Sequence, residues 1–250
     1  GVFNNVYAGL NGIEGMLNGN IINVSSFSQT EINNFRYTPS SGLGSCRYKM
    51  KKLEESTDEY DRLLEILKAN DIKAFFYVGG NDSMDTIAKL SYYAEKTNID
   101  IKVIGIPKTI DNDWMYTDQT PGFGSAAKFI ATTVLETYLD SSVYINNGIF
   151  ILETMGRDTG WLASAASLAK MNGKQVADFI YLPEVAFDVD KFLMDVKAKF
   201  EEQNQVYIVV SEGIRTAEGK FVAESNAQAH DKFGHAQLGG VGLFLKNLII

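Results

Sequence analysis

Short runs of apolar residues alternate along the chain with longer amphipathic stretches, and this alternation constrains the fold most strongly. A continuous apolar run of about five residues is typical of a strand that is covered on both faces, as in a parallel sheet. Such runs lie at residues 73–78, 101–106, 148–152, 179–182 and 206–210. Helical patterns lie between or beside them, at residues 58–69, 82–96, 122–139, 158–170 and 188–203. The alternation predicts an α/β fold with doubly wound, mostly parallel sheets.

The size and composition suit a globular protein with two lobes. The chain has 250 residues, of which 45% are hydrophobic and 22% are charged, so it can build a core and is not typical of a disordered protein. Its formal net charge of −8 argues against sequence-independent binding of nucleic acid, which depends on a basic surface.

Several other classes of protein are excluded by single features. Cys46 is the only cysteine, so the chain has neither a disulfide framework nor a cysteine zinc cluster. The apolar runs are too short to cross a bilayer and no signal peptide is visible, so we expect no membrane contact and a cytoplasmic location. His230 and His235 lack a third ligand at a metal spacing and are interpreted as surface or packing residues. Because the chain opens on Gly1 and ends in an apolar run, we expect a piece of a longer polypeptide.

The loops that follow the predicted strands carry the polar residues of interest, because ligands of doubly wound sheets bind at the carboxyl ends of strands. The first loop is Gly79–Ser83. Its glycines allow a ligand to approach the backbone, and the following helix offers free N–H groups to an anion. Alternatively, the loop is a tight turn with Asn81 or Asp82 as the helix N-cap. Asp82 would repel a phosphate, which suggests either a nearby metal ion or a filter against one ligand.

The second loop, Pro107–Asp113, contains two carboxylates and an upstream lysine. Asp111 could accept a proton from a hydroxyl group, and either Asp111 or Asp113 could face a divalent cation. Lys108 is a point charge that suits a phosphate. The alternative is a solvated turn that is rich in Asp and Asn.

Three further loops complete the set. Thr120–Ala127 has a G-x-G-x-x-A spacing but no preceding hydrophobic strand, so we reject a dinucleotide fingerprint and predict a helix start. Glu153–Gly160 offers the planar donor fork of Arg157 to a phosphate or sugar oxygen, unless Arg157 is only a surface residue. Ser211–Gly213 places Glu212 where it could hold a hydroxyl group, or forms only a turn. Lysine, arginine, paired aspartates and N–H-rich turns are typical of phosphoryl transfer, so the residues alone indicate a phosphate-handling α/β enzyme.

In order and spacing, the segments GGNDS, PKTIDND, TPGFGSA, ETMGRDTGWLA and SEGI resemble the phosphofructokinases. The similarity runs from about Thr38 to Gly240. It implies two Rossmann-like three-layer lobes with mostly parallel sheets and an active-site cleft between them. It also implies a donor-binding lobe at residues 1–125, a sugar-phosphate lobe at 126–235, and a return toward the first lobe at 236–250.

Two positions favour the pyrophosphate-dependent subgroup of this family. Asp82 and Lys108 both replace glycines that the ATP-dependent members carry. An aspartate where the α-phosphate of ATP would sit repels that donor, and the added lysine supplies cationic help to the smaller donor. The resemblance therefore implies transfer of a phosphoryl group from pyrophosphate to fructose 6-phosphate. An ATP-dependent phosphofructokinase and a non-catalytic, sugar-phosphate-binding regulatory relative stay as alternatives.

The resemblance also implies roles for individual residues. Asp111 would take the proton from the C1 hydroxyl, while Lys108, Asp82 and Arg157 complete the catalytic set. The sugar would be bound by Thr109, Ile110, Asp111, Met155, Gly156, Arg157 and Glu212. The donor would be bound by Arg47, Gly80, Asn81, Asp82, Ser83, Lys108, Gly124 and Ser125.

The same resemblance makes Mg²⁺ the expected ion, with Asn81 and Asp113 as its candidate ligands. Asn81 stands where the family has a magnesium-contacting aspartate. The upstream phosphate loop and the late arginine- and histidine-bearing segment of the family do not occur in this sequence. Gly148 stands where bacterial ATP-dependent enzymes carry an arginine that enters a neighbouring subunit's site. We expect a homo-oligomer of two or more copies.

Overall fold

The computed structural model of the protein describes residues 3–145, 148–223 and 240–250. The chain separates into two units, Gly1–Pro107 and Lys108–Ile250. The division falls at the end of a strand, upstream of the boundary near residue 125 that the sequence predicts. The assignment of one lobe to the donor and the other to the sugar stays a prediction. His230 and His235 lie outside the described residues.

The first unit contains a short antiparallel strand pair and a longer parallel pair. Its strands are β1 (Tyr7–Gly9), β2 (Ile21–Asn23), β3 (Ala74–Gly79) and β4 (Lys102–Pro107), and its helices are α1 (Gly12–Leu17), α2 (Gln29–Asn34), α3 (Asp58–Ala69) and α4 (Asn81–Lys96). β1 pairs with β2, and β3 pairs in parallel with β4 so that Gly79 lies beside Pro107.

The two faces of the β3–β4 pair have different surroundings. Phe75, Tyr77 and Val103 point toward a core that α3 and α4 supply, with fully buried side chains such as Leu63 and Leu90. The alternate residues of the strands are exposed: Phe76 by 48%, Val78 by 58%, Ile104 by 40% and Ile106 by 43%. The continuous apolar runs predict that other elements cover both faces of β3 and β4. Within the described part of the chain, helices cover only one face.

The second unit is built on a three-stranded parallel sheet in the order β5–β9–β8. Its strands are β5 (Ile149–Thr154), β6 (Lys170–Met171), β7 (Lys174–Gln175), β8 (Phe179–Tyr181) and β9 (Val206–Ser211), and its helices are α5 (Phe123–Ser141), α6 (Trp161–Ser164), α7 (Val189–Gln203) and α8 (Val241–Ile249). β6 and β7 form a separate antiparallel hairpin.

Strand β9 is buried along its whole length because helices cover both faces of this sheet. Val206, Ile208 and Val210 lie in a core with α7 and α8. Tyr207 and Val209 face the opposite core, which α5 and the Ala-rich segment after β5 supply. The predicted α/β class with parallel sheets is confirmed, and this unit shows the predicted helical layer on each face.

The five predicted strands and four of the five predicted long helices are present, with ends shifted by a few residues. The helix predicted at 158–170 is wrong. Only the four residues of α6 are α-helical, and a 3₁₀ turn at Ala165–Leu168 and strand β6 follow. The alanines beyond α6 are instead small residues that fit a crowded core, where Ala166 is fully buried and Ala169 is 3% exposed.

Helix α8 packs on the second unit, with Val241 and Leu245 buried in the core below β9. The predicted return toward the first lobe at 236–250 stays a prediction, and residues up to 239 lie outside the described part. Among the helices that the structure describes, none is long and apolar enough to cross a membrane.

We expect Ile208→Ala to lower the free energy of unfolding by about 2–5 kcal/mol, because it leaves a cavity in a fully packed strand. Ile145→Ala is the matched control, since its side chain is 94% exposed and its loss should change stability by less than about 0.5 kcal/mol. Urea unfolding followed by circular dichroism measures both. Equal effects of the two substitutions would show that β9 is not the centre of the core.

Candidate active site

The parallel pairing of β5 and β9 brings two loops of the second unit together. Thr154 and Ser211, the last residues of the two strands, are register partners. The loops that follow are therefore neighbours, and the Glu212 N–H donates to the Thr154 carbonyl at 2.9 Å. This register places Arg157 and Glu212 at the same edge of the sheet, as expected for ligand-binding loops of parallel sheets.

Hydrogen bonds and close packing fix the turn at Gly156. The Gly156 N–H donates to Glu212 Oε1 at 3.3 Å, and the buried Ser211 hydroxyl donates to the Gly156 carbonyl at 2.5 Å. Gly156 has φ +131°, where other residues are strained, and a Cβ there would collide with the Thr159 carbonyl oxygen. Glycine is required at this position for both reasons.

The second loop is tied to this turn through Asp111. The Thr159 hydroxyl donates to the Asp111 carbonyl at 2.9 Å, and the Asp111 N–H donates to Thr109 Oγ1 at 3.1 Å. These bonds hold the main chain of Asp111. Asp111 Oδ1 and Asp113 Oδ1 are both buried without a hydrogen-bond partner among the described residues. Buried oxygens without partners in a native protein indicate a ligand or a chemical role.

The charges of the site act on one another. Burial raises the pKa of the Asp111 carboxyl, and the charge of Asp113 raises it further, against the opposing effects of the Thr109 hydrogen bond, Lys108 and Arg157. Burial also raises the pKa of Glu212, against the opposing effects of the Gly156 N–H and the Arg157 guanidinium. The site can thus hold hydroxyl groups at its carboxylates, and Asp111 can accept a proton.

Other predicted residues of this unit line its surface. Lys108 and Met155 are exposed, while Thr109 and Ile110 are half-buried. Gly124 and Ser125 are exposed in the first turn of α5, so the predicted helix start is confirmed. That turn offers backbone N–H groups without a side-chain cap on the helix.

The first-unit candidates lie at the start of α4. Gly80 is the N-cap of this helix, so the alternative in which Asn81 or Asp82 caps it is wrong. A Cβ on Gly79 would collide with the Ser83 hydroxyl, so the tight turn into α4 favours glycine at this position. Asp82 lies in the first helical turn, where a negative charge is favourable.

Asp82 also pairs with Lys49, whose Nζ lies 3.6 Å from Asp82 Oδ1. Lys49 was not recognised from the sequence, although it is close to the exposed Arg47. The lysine lowers the local negative charge that Asp82 presents. Both side chains are about one-third exposed, so solvent screens the attraction.

Mg²⁺ fits the donor chemistry of the second loop. Mg²⁺ prefers oxygen ligands and is usually held by one or two carboxylates together with phosphate oxygens. The buried, unpartnered Asp113 Oδ1 is such a ligand atom. Within the described ranges, no group of three or more His, Cys, Asp or Glu residues could hold a metal alone, so phosphate oxygens would have to complete the coordination.

The roles of some residues in the site could not be predicted from the sequence. Thr159 and Ser211 act through hydrogen bonds to main-chain carbonyls, and such bonds leave no spacing pattern in the sequence. Asn112, inside the second loop, is nearly fully buried at 5% exposure. Its position between two aspartates was the one available signal.

Comparison with known proteins agrees with this geometry. The family model "Phosphofructokinase" matches residues 2–247. The chain is 47% identical over 246 residues to a pyrophosphate–fructose 6-phosphate 1-phosphotransferase of Methylococcus capsulatus, covering 98% of this chain and 58% of the relative. It is 48% identical over 242 residues to the protein of the same name from Xanthomonas campestris, covering 96% and 58%.

A solved structure gives the same result. The pyrophosphate-dependent phosphofructokinase from Nitrosospira multiformis is similar with a TM-score of 0.75 and 41% identity, over 87% of this chain and 54% of that one. The chain thus spans somewhat more than half the length of these relatives. With the family model matched over nearly every residue and the TIDND, MGR and SEG loops placed as described, the chain belongs to the phosphofructokinase family.

Proposed function

We propose that the protein containing this chain transfers a phosphoryl group from pyrophosphate to the C1 hydroxyl of fructose 6-phosphate, giving fructose 1,6-bisphosphate and phosphate. The observation that carries the proposal is the half-buried Asp111 carboxylate. Its Oδ1 has no hydrogen-bond partner in the described part of the chain, and it interacts electrostatically with Arg157 and Glu212. Relatives that bear this activity in their names, at 47% and 48% identity, support it.

Asp111 is the general base of the proposed reaction. Its carboxylate accepts the proton of the sugar C1 hydroxyl as that oxygen bonds to the transferred phosphorus, and the bond from phosphorus to the leaving phosphate breaks. Burial favours the protonated carboxyl, so the residue becomes a better proton acceptor than an aspartate in water. Arg157 stabilises negative charge on the moving phosphoryl group with its donor fork.

The remaining residues of the second unit bind the sugar. Glu212 accepts hydrogen bonds from sugar hydroxyls, and its fixed position through the Gly156 N–H orients it. Thr109, Ile110, Met155 and Gly156 form the rest of the sugar surface. The exposed Met155 is accessible to a sugar, whereas the buried Gly156 contributes through its hydrogen bond to Glu212.

The donor-binding residues are proposed from the family resemblance. In the first unit these are Arg47, Gly80, Asn81, Asp82 and Ser83; in the second they are Lys108, Gly124 and Ser125. The free N–H groups at the starts of α4 and α5 and the exposed Lys108 and Arg47 suit the oxygens of pyrophosphate. Asp82 excludes the α-phosphate of ATP by charge and bulk.

Mg²⁺ would be held by Asp113 and Asn81 together with phosphate oxygens, and it would neutralise part of the donor's charge. Asp113 supplies the unpartnered buried oxygen and Asn81 the weaker amide oxygen. A homo-oligomeric assembly and a cytoplasmic location remain predictions.

We expect Asp111→Asn to lower kcat at least about a hundredfold while the KM for fructose 6-phosphate changes little, because the amide keeps the shape but cannot accept the proton. Initial rates in the full-length natural polypeptide with pyrophosphate measure this. Asp190→Asn, an exposed aspartate in the first turn of α7, is the control with the same chemical change. An unchanged kcat in Asp111→Asn removes the base assignment.

The donor assignment is tested with Asp82→Gly, Lys108→Gly and the double variant, each assayed with pyrophosphate and with ATP. We expect Asp82→Gly to raise the ATP rate and lower the pyrophosphate rate. Lys108→Gly should lower the pyrophosphate rate more than any ATP rate, because the lysine's charge acts on the transferred group.

Asp82→Asn separates charge from bulk, since it removes only the charge and should raise the ATP rate less than Asp82→Gly does. A wild type that prefers ATP, or a donor ratio that Asp82→Gly leaves unmoved, excludes the pyrophosphate assignment. A wild type that binds fructose 6-phosphate but turns over neither donor indicates the regulatory alternative.

Glu212→Gln should stabilise the protein at pH 7 and weaken sugar binding. The folded-state pKa of the Glu212 carboxyl is raised above 4.5. The carboxyl therefore contributes to folding stability while it is protonated at low pH, and this contribution is lost as pH rises through the folded-state pKa. The neutral amide avoids this loss and still accepts the Gly156 hydrogen bond.

The gain in unfolding free energy should therefore be present at pH 7 and disappear below about pH 4; urea unfolding at both pH values measures it. Glu184→Gln is the matched control, because exposed Glu184 accepts the Gly160 N–H at 2.8 Å in the same way. Equal gains from both substitutions would contradict the assignment of the cost to burial of Glu212.

A further inference from the structure

Asn112 lies between the two carboxylates of the site and adopts an unusual backbone conformation. Its φ is +58°, in the left-handed region that asparagine tolerates better than most residues. The residue is 5% exposed. A buried polar side chain is costly unless its hydrogen bonds are satisfied, so its partners indicate what it does.

Both ends of the Asn112 amide bind the main chain further along the loop. The Thr120 N–H donates to Asn112 Oδ1 at 2.8 Å, and Asn112 Nδ2 donates to the Asp118 carbonyl at 3.2 Å. The side chain thus closes the loop between residues 112 and 120. Both polar atoms of its amide are used in hydrogen bonds within the protein.

The two neighbours of Asn112 need such a restraint. Asp111 and Asp113 carry like charges that interact, and each has a buried oxygen without a partner among the residues described. Repulsion favours rotation of these carboxylates apart and toward water. The Thr159 hydroxyl holds Asp111 through its carbonyl, but the turn that follows is held by the Asn112 amide.

We propose that Asn112 is a positioning residue, whose left-handed turn and two amide hydrogen bonds fix the direction of the Asp111 carboxylate. The inference rests on the proposed function, since it assigns Asn112 an effect that acts through the base Asp111. It differs from a purely structural role, which would change stability without a specific loss in the chemical step.

The test is Asn112→Gly in the full-length natural polypeptide. Glycine keeps the left-handed conformation and removes both amide bonds. We expect kcat with pyrophosphate and fructose 6-phosphate to fall about tenfold to a hundredfold, with KM for the sugar phosphate within about twofold, because the base is misplaced while the sugar contacts remain.

Asn204→Gly is the matched control. Asn204 also has a left-handed backbone, with φ +57°, and its Nδ2 donates to the Ile145 carbonyl at 3.1 Å. It lies at the end of α7, outside the site residues. This variant should keep the wild-type kcat, and a loss equal to that of Asn112→Gly would overturn the inference.

A double variant tests whether Asn112 acts through Asp111. In the Asp111→Asn background, adding Asn112→Gly should lower kcat by less than about twofold, because the base is already absent. A further tenfold loss there would show that Asn112 acts by another route and would overturn the proposal.

If Asn112→Gly does not fold, as judged by circular dichroism, Asn112→Asp takes its place. It keeps the acceptor for Thr120 and the tolerance for positive φ, but it loses the bond to Asp118 and adds a negative charge beside Asp111 and Asp113. We therefore expect kcat to fall with KM unchanged in the wild-type background, and to change by less than about twofold when Asp111→Asn is already present. A wild-type kcat in either folded variant overturns the inference. A wild type that is inactive with pyrophosphate and ATP overturns the proposed function instead.

Discussion

The in-register parallel pairing of β5 with β9 is the constraint on which the site of the second unit depends. Because Thr154 lies beside Ser211, the loop with Arg157 and the loop with Glu212 leave the sheet at one edge. A shift of one residue would turn each side chain to the other face of the sheet. Burial of every residue of β9 makes such a shift costly.

Much of this arrangement could be predicted from the sequence, for physical reasons. Strands such as 206–210 are recognisable because a doubly covered strand must be apolar throughout, and the loops after them are where ligands of such sheets bind. The motifs that resemble the phosphofructokinases then indicate which residues of these loops are candidates for the site. The long helix predicted after Gly160 is wrong, because alanine favours helices wherever no packing opposes it, while beyond α6 the fully buried Ala166 fits a tight core by its small size.

The parts that could not be predicted depend on hydrogen bonds between residues distant in sequence. The bonds from Thr159 to Asp111 and from Ser211 to Gly156 join residues 48 and 55 positions apart. The ion pair of Lys49 with Asp82 likewise depends on how a loop folds back on α4. No local pattern records such contacts. The described residues leave Phe76 and Ile104 on one face of β3 and β4 exposed, although the apolar pattern predicts cover on both faces.

The separation along the chain between the Gly156 turn and the end of β9 affects when the candidate site can form during synthesis and folding. Gly156 and Glu212 are 56 residues apart, and the Gly156 turn is shaped by bonds that only the end of β9 supplies. Contacts between distant segments form late because a long loop must close first. During synthesis, the loop that carries Gly156 and Arg157 leaves the ribosome before residues 211 and 212, so the hydrogen bonds that these residues make to Gly156 cannot yet form. The proposed sugar site can therefore be completed only after residue 213 has emerged, so a nascent chain that stops short of this point contains most of the site's residues but not their arrangement.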